Sequence, residues 1–133
     1  MVDPALTVRI ATPFAAAVPL VKEALGTQGF GVLTEIDVRA TMQTKLGEEM
    51  EDYLILGACN PPLAHRALTA DRRIGLLLPC NVVVRADGDG TLVEAVDPRD
   101  MFAAQPDAAA ELAPVAAEVA ERLAKVIEVL PRG

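Results

Sequence analysis

The feature that most restricts how this chain can fold is a tight-turn signal between two strand-like runs. Val82-Val83-Val84-Arg85 leads into Asp87-Gly88-Asp89-Gly90, and Thr91 to Val96 returns from it. Gly, Asp and Asn supply the positive-φ backbone that a short hairpin loop needs, so the two runs are predicted to pair antiparallel.

Strand and helix periods alternate through the rest of the chain. Leu6-Thr7-Val8-Arg9-Ile10 reads as a strand. Thr12-Pro13 is an N-cap and first-turn signal, after which Phe14, Val18, Val21 and Leu25 share one helical face. Pro19 lies inside that run and predicts a kink or a delayed start, and Gly29 predicts the stop. Phe30 to Ile36 reads as a second strand. Asp37 is placed to cap a short helix ending at Leu46-Gly47, with Val38, Met42 and Leu46 spaced by four. Glu48-Glu49-Met50-Glu51-Asp52 reads as a solvated loop. Tyr53 to Cys59 is apolar enough for a strand buried on both faces. Asn60-Pro61-Pro62 opens a helix with Leu63, Ala64, Ala67 and Leu68 facing inward. Ile74 to Leu78 reads as a strand that continues into the hairpin, interrupted at Pro79. Asp97-Pro98 ends the returning strand. The Ala-rich tract from Phe102 to Ala110 is the loosest stretch, and a last helix runs from about Asp107 to Leu130. Its apolar positions are Leu112, Val115, Val119, Leu123, Val126 and Leu130.

This order predicts an α+β fold, a single-domain two-layer sandwich over 1–133 with helices covering one face of a mainly antiparallel sheet. A doubly wound α/β sheet is the alternative. Composition agrees with one domain: 133 residues, 52% apolar, only 3% aromatic and no Trp. Such a chain builds its core from small and branched aliphatic side chains, and is not disordered. No apolar run reaches the ~18 residues of a membrane span, so no membrane partner is expected. The net charge of −7 lies wholly in residues 48–133, and no basic stripe exists, which argues against nucleic acid as a partner. Met1-Val2-Asp3-Pro4-Ala5 has no basic region followed by an apolar one, so a cytoplasmic location is expected. There, two cysteines are expected as free thiols, and nothing in their spacing requires a disulfide.

Three blocks stand out together. They are Gly29 to Asp37 (GFGVLTEID), Leu56 to Ala64 (LGACNPPLA) and Ile74 to Val84 (IGLLLPCNVVV). Their order and spacing resemble the domain of unknown function 302 family of bacteria and archaea, from about Leu6 to Leu130. The resemblance implies a curved antiparallel sheet backed by helices, likened to a TATA-binding-protein half-fold. It also implies a homodimer, and it implies no activity.

The residues that can carry chemistry centre on a repeated dipeptide, Cys59-Asn60 and Cys80-Asn81, each beside a proline. Cys59 precedes a helix N-terminus, where unpaired N–H groups and the macrodipole favour a thiolate. His65, the only histidine, follows within the same helix. If the two strands are neighbours, Cys59 and Cys80 converge near His65. Against this stand plainer readings. Free Cys often behaves as a small buried hydrophobe, His65 as a solvent-facing helix residue, and Asn60 as an N-cap. Asn81 is less easily dismissed, because Asn is depleted in strand interiors. Glu35 and Asp37 share a face of an extended segment and form a candidate carboxylate pair. The simpler account has Asp37 as a cap and Glu35 paired with Arg39 or Lys45. Two Cys and one His without a CxxC spacing give no metal site, Gly29-x-Gly31 lacks the third glycine of a nucleotide loop, and the absence of serine excludes a Ser-His-Asp triad.

Two functions follow. The first is a dimeric binding or accessory module, without cofactor, that holds a small-molecule ligand in a small pocket near Cys59, Asn60, Cys80, Asn81 and Glu35. Its dimer surface would use the near-heptad stripe of the last helix, although covering the sheet explains that stripe as well. The second is a thiol-dependent enzyme or redox carrier, with Cys59 as nucleophile, Cys80 as second thiol and His65 as base.

Overall fold

The computed structural model describes residues 6–103 and 109–132. Its elements are, in order, β1 (Thr7–Ile10), α1 (Phe14–Thr27), β2 (Gly31–Asp37), α2 (Val38–Leu46), β3 (Tyr53–Cys59) and α3 (Pro61–Ala70). A 3₁₀ segment (Arg72–Leu77) follows, then β4 (Cys80–Asp87), β5 (Gly90–Ala95), α4 (Pro98–Ala103) and α5 (Ala109–Val129). The β4–β5 hairpin closes through Gly88-Asp89, with Asp87 opposite Gly90. Gly88 has φ +62°, and among the described residues only glycines have positive φ, so glycine stands where the turn demands it.

The five strands lie in the order β1-β5-β4-β3-β2, and every neighbouring pair is antiparallel. This is the predicted α+β sandwich and excludes the doubly wound alternative. β1 and β2 are the two edges, so α1 must cross the back of the sheet to join them. The register puts Val8 and Ile10 of β1, Val93 and Ala95 of β5, Val82 and Val84 of β4, and Leu56 and Ala58 of β3 on one buried face. Helices α1, α3 and α5 cover it, with α5 touching α1, α3 and α4. Leu112, Val115, Val119, Leu123, Val126 and Leu130 are all buried in this core. Covering the sheet therefore accounts for the last helix's stripe, which leaves none of it for a dimer surface.

Four local expectations change. α1 runs unbroken through Pro19, because Ala17, Val21, Ala24 and Leu25 bury its face on both sides of the proline. β3 is buried on both faces only at Leu56, Gly57 and Ala58, since its other outward residues lie on the uncovered side of the sheet. Ile74 to Leu77 forms 3₁₀ helix rather than strand. Asp71 caps it by accepting from Arg73 N–H at 2.9 Å, and only Ile74 is buried while Leu76 is 83% exposed. Asp97-Pro98 does more than end a strand. Asp97 accepts from Arg99 N–H at 2.9 Å and starts α4, which carries Phe102 into the core. The part of the Ala-rich tract at 104–108, with the expected helix start at Asp107, lies outside the described residues.

The second helix departs most from its pattern. Asp37 caps it as predicted, accepting from Ala40 N–H at 2.9 Å, and Gly47 ends it at φ +67°. Yet α2 has no buried residue, and Leu46 is 68% exposed. On the adjoining edge strand, Leu33 is 65% and Ile36 49% exposed.

Candidate functional site

β3 ends and β4 begins at the same end of the sheet, with Ala58 directly opposite Cys80 and Gly57 opposite Asn81. Pairing these strands brings residues 59 and 80 to one place, as the sequence predicted. Both cysteines are free thiols, Cys59 half-buried and Cys80 buried. They line one cleft with Ala58 and Leu78. α3 adds Leu63, Ala64 and Ala67, α5 adds Val115 and Val119, and Phe30 and Phe102 complete the wall. Two of the chain's three Phe residues are thus at this cleft. The cavity volume is ≈ 20 Å³, about what one water needs, within ≈ 320 Å³ of empty space counted out to the open mouth. Among the described residues no charged side chain lines it.

Asn60 holds the cleft's rim together. Its Oδ1 accepts from Leu63 N–H at 3.4 Å, so it caps α3, and its Nδ2 donates to the Gln28 carbonyl at 3.2 Å. Arg122 Nη1 donates to the same carbonyl at 3.3 Å, and Glu118 takes Arg122 and Arg66 at 3.3 Å each. The end of α1 and the faces of α3 and α5 are tied together here. Gly29, at φ +82°, leaves the room Asn60 uses, since a Cβ there would lie 3.0 Å from Nδ2.

The electrostatics run opposite to the thiolate expectation. Burial pushes the Cys59 thiol up, and pushes Cys80 up to about 11 with a smaller contribution from Cys59's charge. The helix N-terminus beside Cys59 does not counter this. Pro61 and Pro62 have no N–H, Leu63 N–H is taken by Asn60 Oδ1, and Ala64 N–H bonds the Asn60 carbonyl at 2.8 Å. Of the N–H groups that a helix start normally leaves free, those of Pro61 and Pro62 are missing and that of Leu63 is used, while Ala64's makes the helix's own first bond.

The remaining candidates lie elsewhere. His65 is exposed and lines a separate shallow depression with Arg66, Thr69, Glu111 and Pro114. The reason is helical geometry. Two residues advance a helix by about 200°, so with Leu63 facing the cleft His65 faces away. Asn81 is exposed on the uncovered face of the sheet, while its carbonyl accepts from Val96 N–H at 3.1 Å. Glu35 is exposed and pairs with Lys22 of α1 at 2.8 Å, whereas Arg39 pairs with Asp52 at 2.8 Å. Glu35 therefore has neither of its expected partners, because α1 packs beside β2 and brings Lys22 closer. Among the described residues no group of three or more His, Cys, Asp or Glu could hold a metal, and no helix is long and apolar enough to cross a membrane.

Phe102 is one of several wall residues that the sequence reading did not assign to the site. The signal was present, since Asp-Pro is an N-cap and first-turn pair.

Two comparisons place the chain. The model of the family described as "Domain of unknown function DUF302" matches residues 6–130. The crystal structure of an uncharacterized conserved DUF302 protein from Bacillus stearothermophilus is similar at 30% identity with a TM-score of 0.84. That likeness covers 92% of this chain and 94% of that one. No curated protein matches.

Proposed function

This chain belongs to the DUF302 family, and from that premise we propose that it is a small cytoplasmic binding module. In this reading it works as a homodimer and holds a small guest in the cleft at Cys59 and Cys80. The observation that carries the reading is the cleft itself. Residues from β3, β4, α3, α4 and α5 leave an opening there. A thiol enzyme would need a base beside a depressed thiol. Here His65 faces away, and burial raises both thiols.

Xenon tests whether the cleft admits a guest, because xenon enters apolar cavities and scatters strongly. Crystals under xenon pressure should show a site between Cys80 and Phe102, and Ala67→Leu should abolish it. A cleft that takes up no xenon overturns the reading.

The dimer reading rests on the β2–α2 arm. Leu33, Ile36 and Leu46 are exposed on this arm, and Val38 and Met42 are half-exposed. Apolar side chains left uncovered on one strand–helix arm of a small domain mark an interaction surface. A second copy fits its charges. Among the described residues Lys45 has no ion pair, nor do Glu48 and Glu51 just beyond the helix, and a two-fold across α2 sets one against the others. Sedimentation should give twice the 14.0 kDa chain mass. Ile36→Glu with Leu46→Glu should halve it without lowering thermal stability. A monomeric parent would remove this half of the proposal.

A further inference from the structure

We propose that a second copy of this chain covers the open face of the sheet, seated on an apolar row that crosses β2, β3 and β4. This rests on the dimer reading above and adds which face of the fold the partner copy takes. An antiparallel sheet with one bare face commonly alternates apolar side chains inward with polar ones outward. Here the alternation fails in the middle of the bare face. The register sets Ile36 opposite Ile55 and Ile55 opposite Val83, all three on the side away from the helices. In the next row Tyr53, Arg85 and Leu92 are neighbours, so the apolar surface continues to Tyr53 and Leu92. Ile36 is 49% exposed, and Ile55, Val83, Tyr53 and Leu92 are half-buried. Ile36 is also the last outward residue of β2 before α2, so the row runs on into the β2–α2 arm.

Charge singles out a second copy as the occupant. The chain carries −7, so two copies repel wherever their acidic surfaces meet. The outward charged residues on the strands of this face are Arg9, Arg85, Asp87 and Glu94, two basic and two acidic, which sum to zero. They are paired with one another: Arg9 Nε donates to Asp87 at 2.8 Å and Arg85 Nε to Glu94 at 2.9 Å. Arg9 also reaches Asp89 of the turn at 3.3 Å, at the rim. A copy seated here therefore meets a balanced face and strands no lone charge away from water. A basic partner would find no acidic excess on these strands, and a nucleic acid no basic one. A two-fold brings the row against itself, apolar on apolar, with the ion pairs toward the β1 edge.

Sedimentation and a dissolved nitroxide test this on the full native chain. Val83→Lys sets a lysine opposite Glu94, a cross-strand pair that the single chain tolerates and a sheet-to-sheet contact does not. It should weaken dimerisation at least about ten-fold. In the parent dimer the methyl groups of Ile55, Val83 and Leu92 should be shielded from nitroxide broadening. In the Ile36→Glu, Leu46→Glu chain they should lose that shielding, and this comparison decides the matter if Val83→Lys folds poorly. A dimeric parent whose Val83 and Leu92 methyls broaden as fully as those of the double variant would overturn the sheet-face assignment and leave the arm as the interface. Undiminished dimerisation of folded Val83→Lys would do the same. A monomeric parent would overturn the dimer reading together with it.

Discussion

Cys59-Asn60 closes β3 and Cys80-Asn81 opens β4, and the same two residue types meet opposite surroundings at the two places. Asn60 is buried, with both ends of its amide bonded, while Asn81 projects from the uncovered face of the sheet. For the thiols the order reverses: Cys80 is the buried member and Cys59 the half-exposed one. A strand alternates its faces, so a dipeptide always sends its two side chains to opposite sides. At β4 that puts sulfur inward and amide outward. At β3 the strand ends after Cys59, and Asn60 turns inward as a helix cap. The repeat therefore carries no shared function. It shows that the same letters acquire a role only from the element that holds them.

The largest effect that separates the two copies is in alkali. An unfolded thiol ionises near 9.0, whereas folded Cys80 holds its proton to about 11 because burial penalises the thiolate. The unfolded state thus loses its proton first. Stability from this group is complete below pH 9 and falls as pH rises toward 11, by roughly 2–3 kcal/mol in all. Denaturant titrations across that range should show the loss in the parent chain and not in Cys80→Ala. An unchanged slope in the variant would mean that Cys80 is wetter than its burial indicates. Next in size is the asparagine contrast. Asn60→Ala removes a cap and a bond between α1 and α3, and should cost about 2 kcal/mol. Asn81→Ala should stay within about 0.5 kcal/mol. Equal costs for the two would break the comparison at its base.

How much of this was legible depends on the range of the physics involved. The hairpin, the Asp37 and Asn60 caps and the α5 stripe are set by neighbours within a few residues, and all three stand as read. The convergence of residues 59 and 80 followed from β3 and β4 being consecutive strands. The orientation of His65 was also present, since Leu63 and Ala67 facing inward turn His65 outward by helical arithmetic. The cleft was not legible. Phe30, Phe102 and Val119 come from distant segments, and in a sequence a residue beside a gap looks the same as one in a filled core. The β2–α2 arm misled for a related reason. Val38, Met42 and Leu46 have the spacing of a buried stripe, but spacing states which residues share a face and not what covers it. Ile74 to Leu77 failed because a short apolar run does not distinguish strand from 3₁₀ helix without its cap.

The smallest effect tests why the site carries an unactivated thiol. Two influences act on Cys59: loss of water, which raises its proton affinity, and the start of α3, which would lower it if donors were free. The first prevails because Pro61 and Pro62 carry no N–H and Asn60 takes that of Leu63, so the first turn of the helix has little to offer. Reaction of native protein with a chromogenic disulfide should therefore proceed in two steps. Cys59 should react before unfolding, at a rate rising with pH through a midpoint above 9.0, and Cys80 only on unfolding. Restoring one N–H with Pro62→Ala should move the Cys59 midpoint down by an amount worth about 0.3–1 kcal/mol, a rate gain of a few-fold at neutral pH. Fast reaction of the parent chain down to pH 6 would show a stabilised thiolate, and would return the thiol-enzyme reading to contention. A Pro62→Ala chain that reacts no faster would separate the two influences in the other direction, leaving desolvation as the sole control of this sulfur.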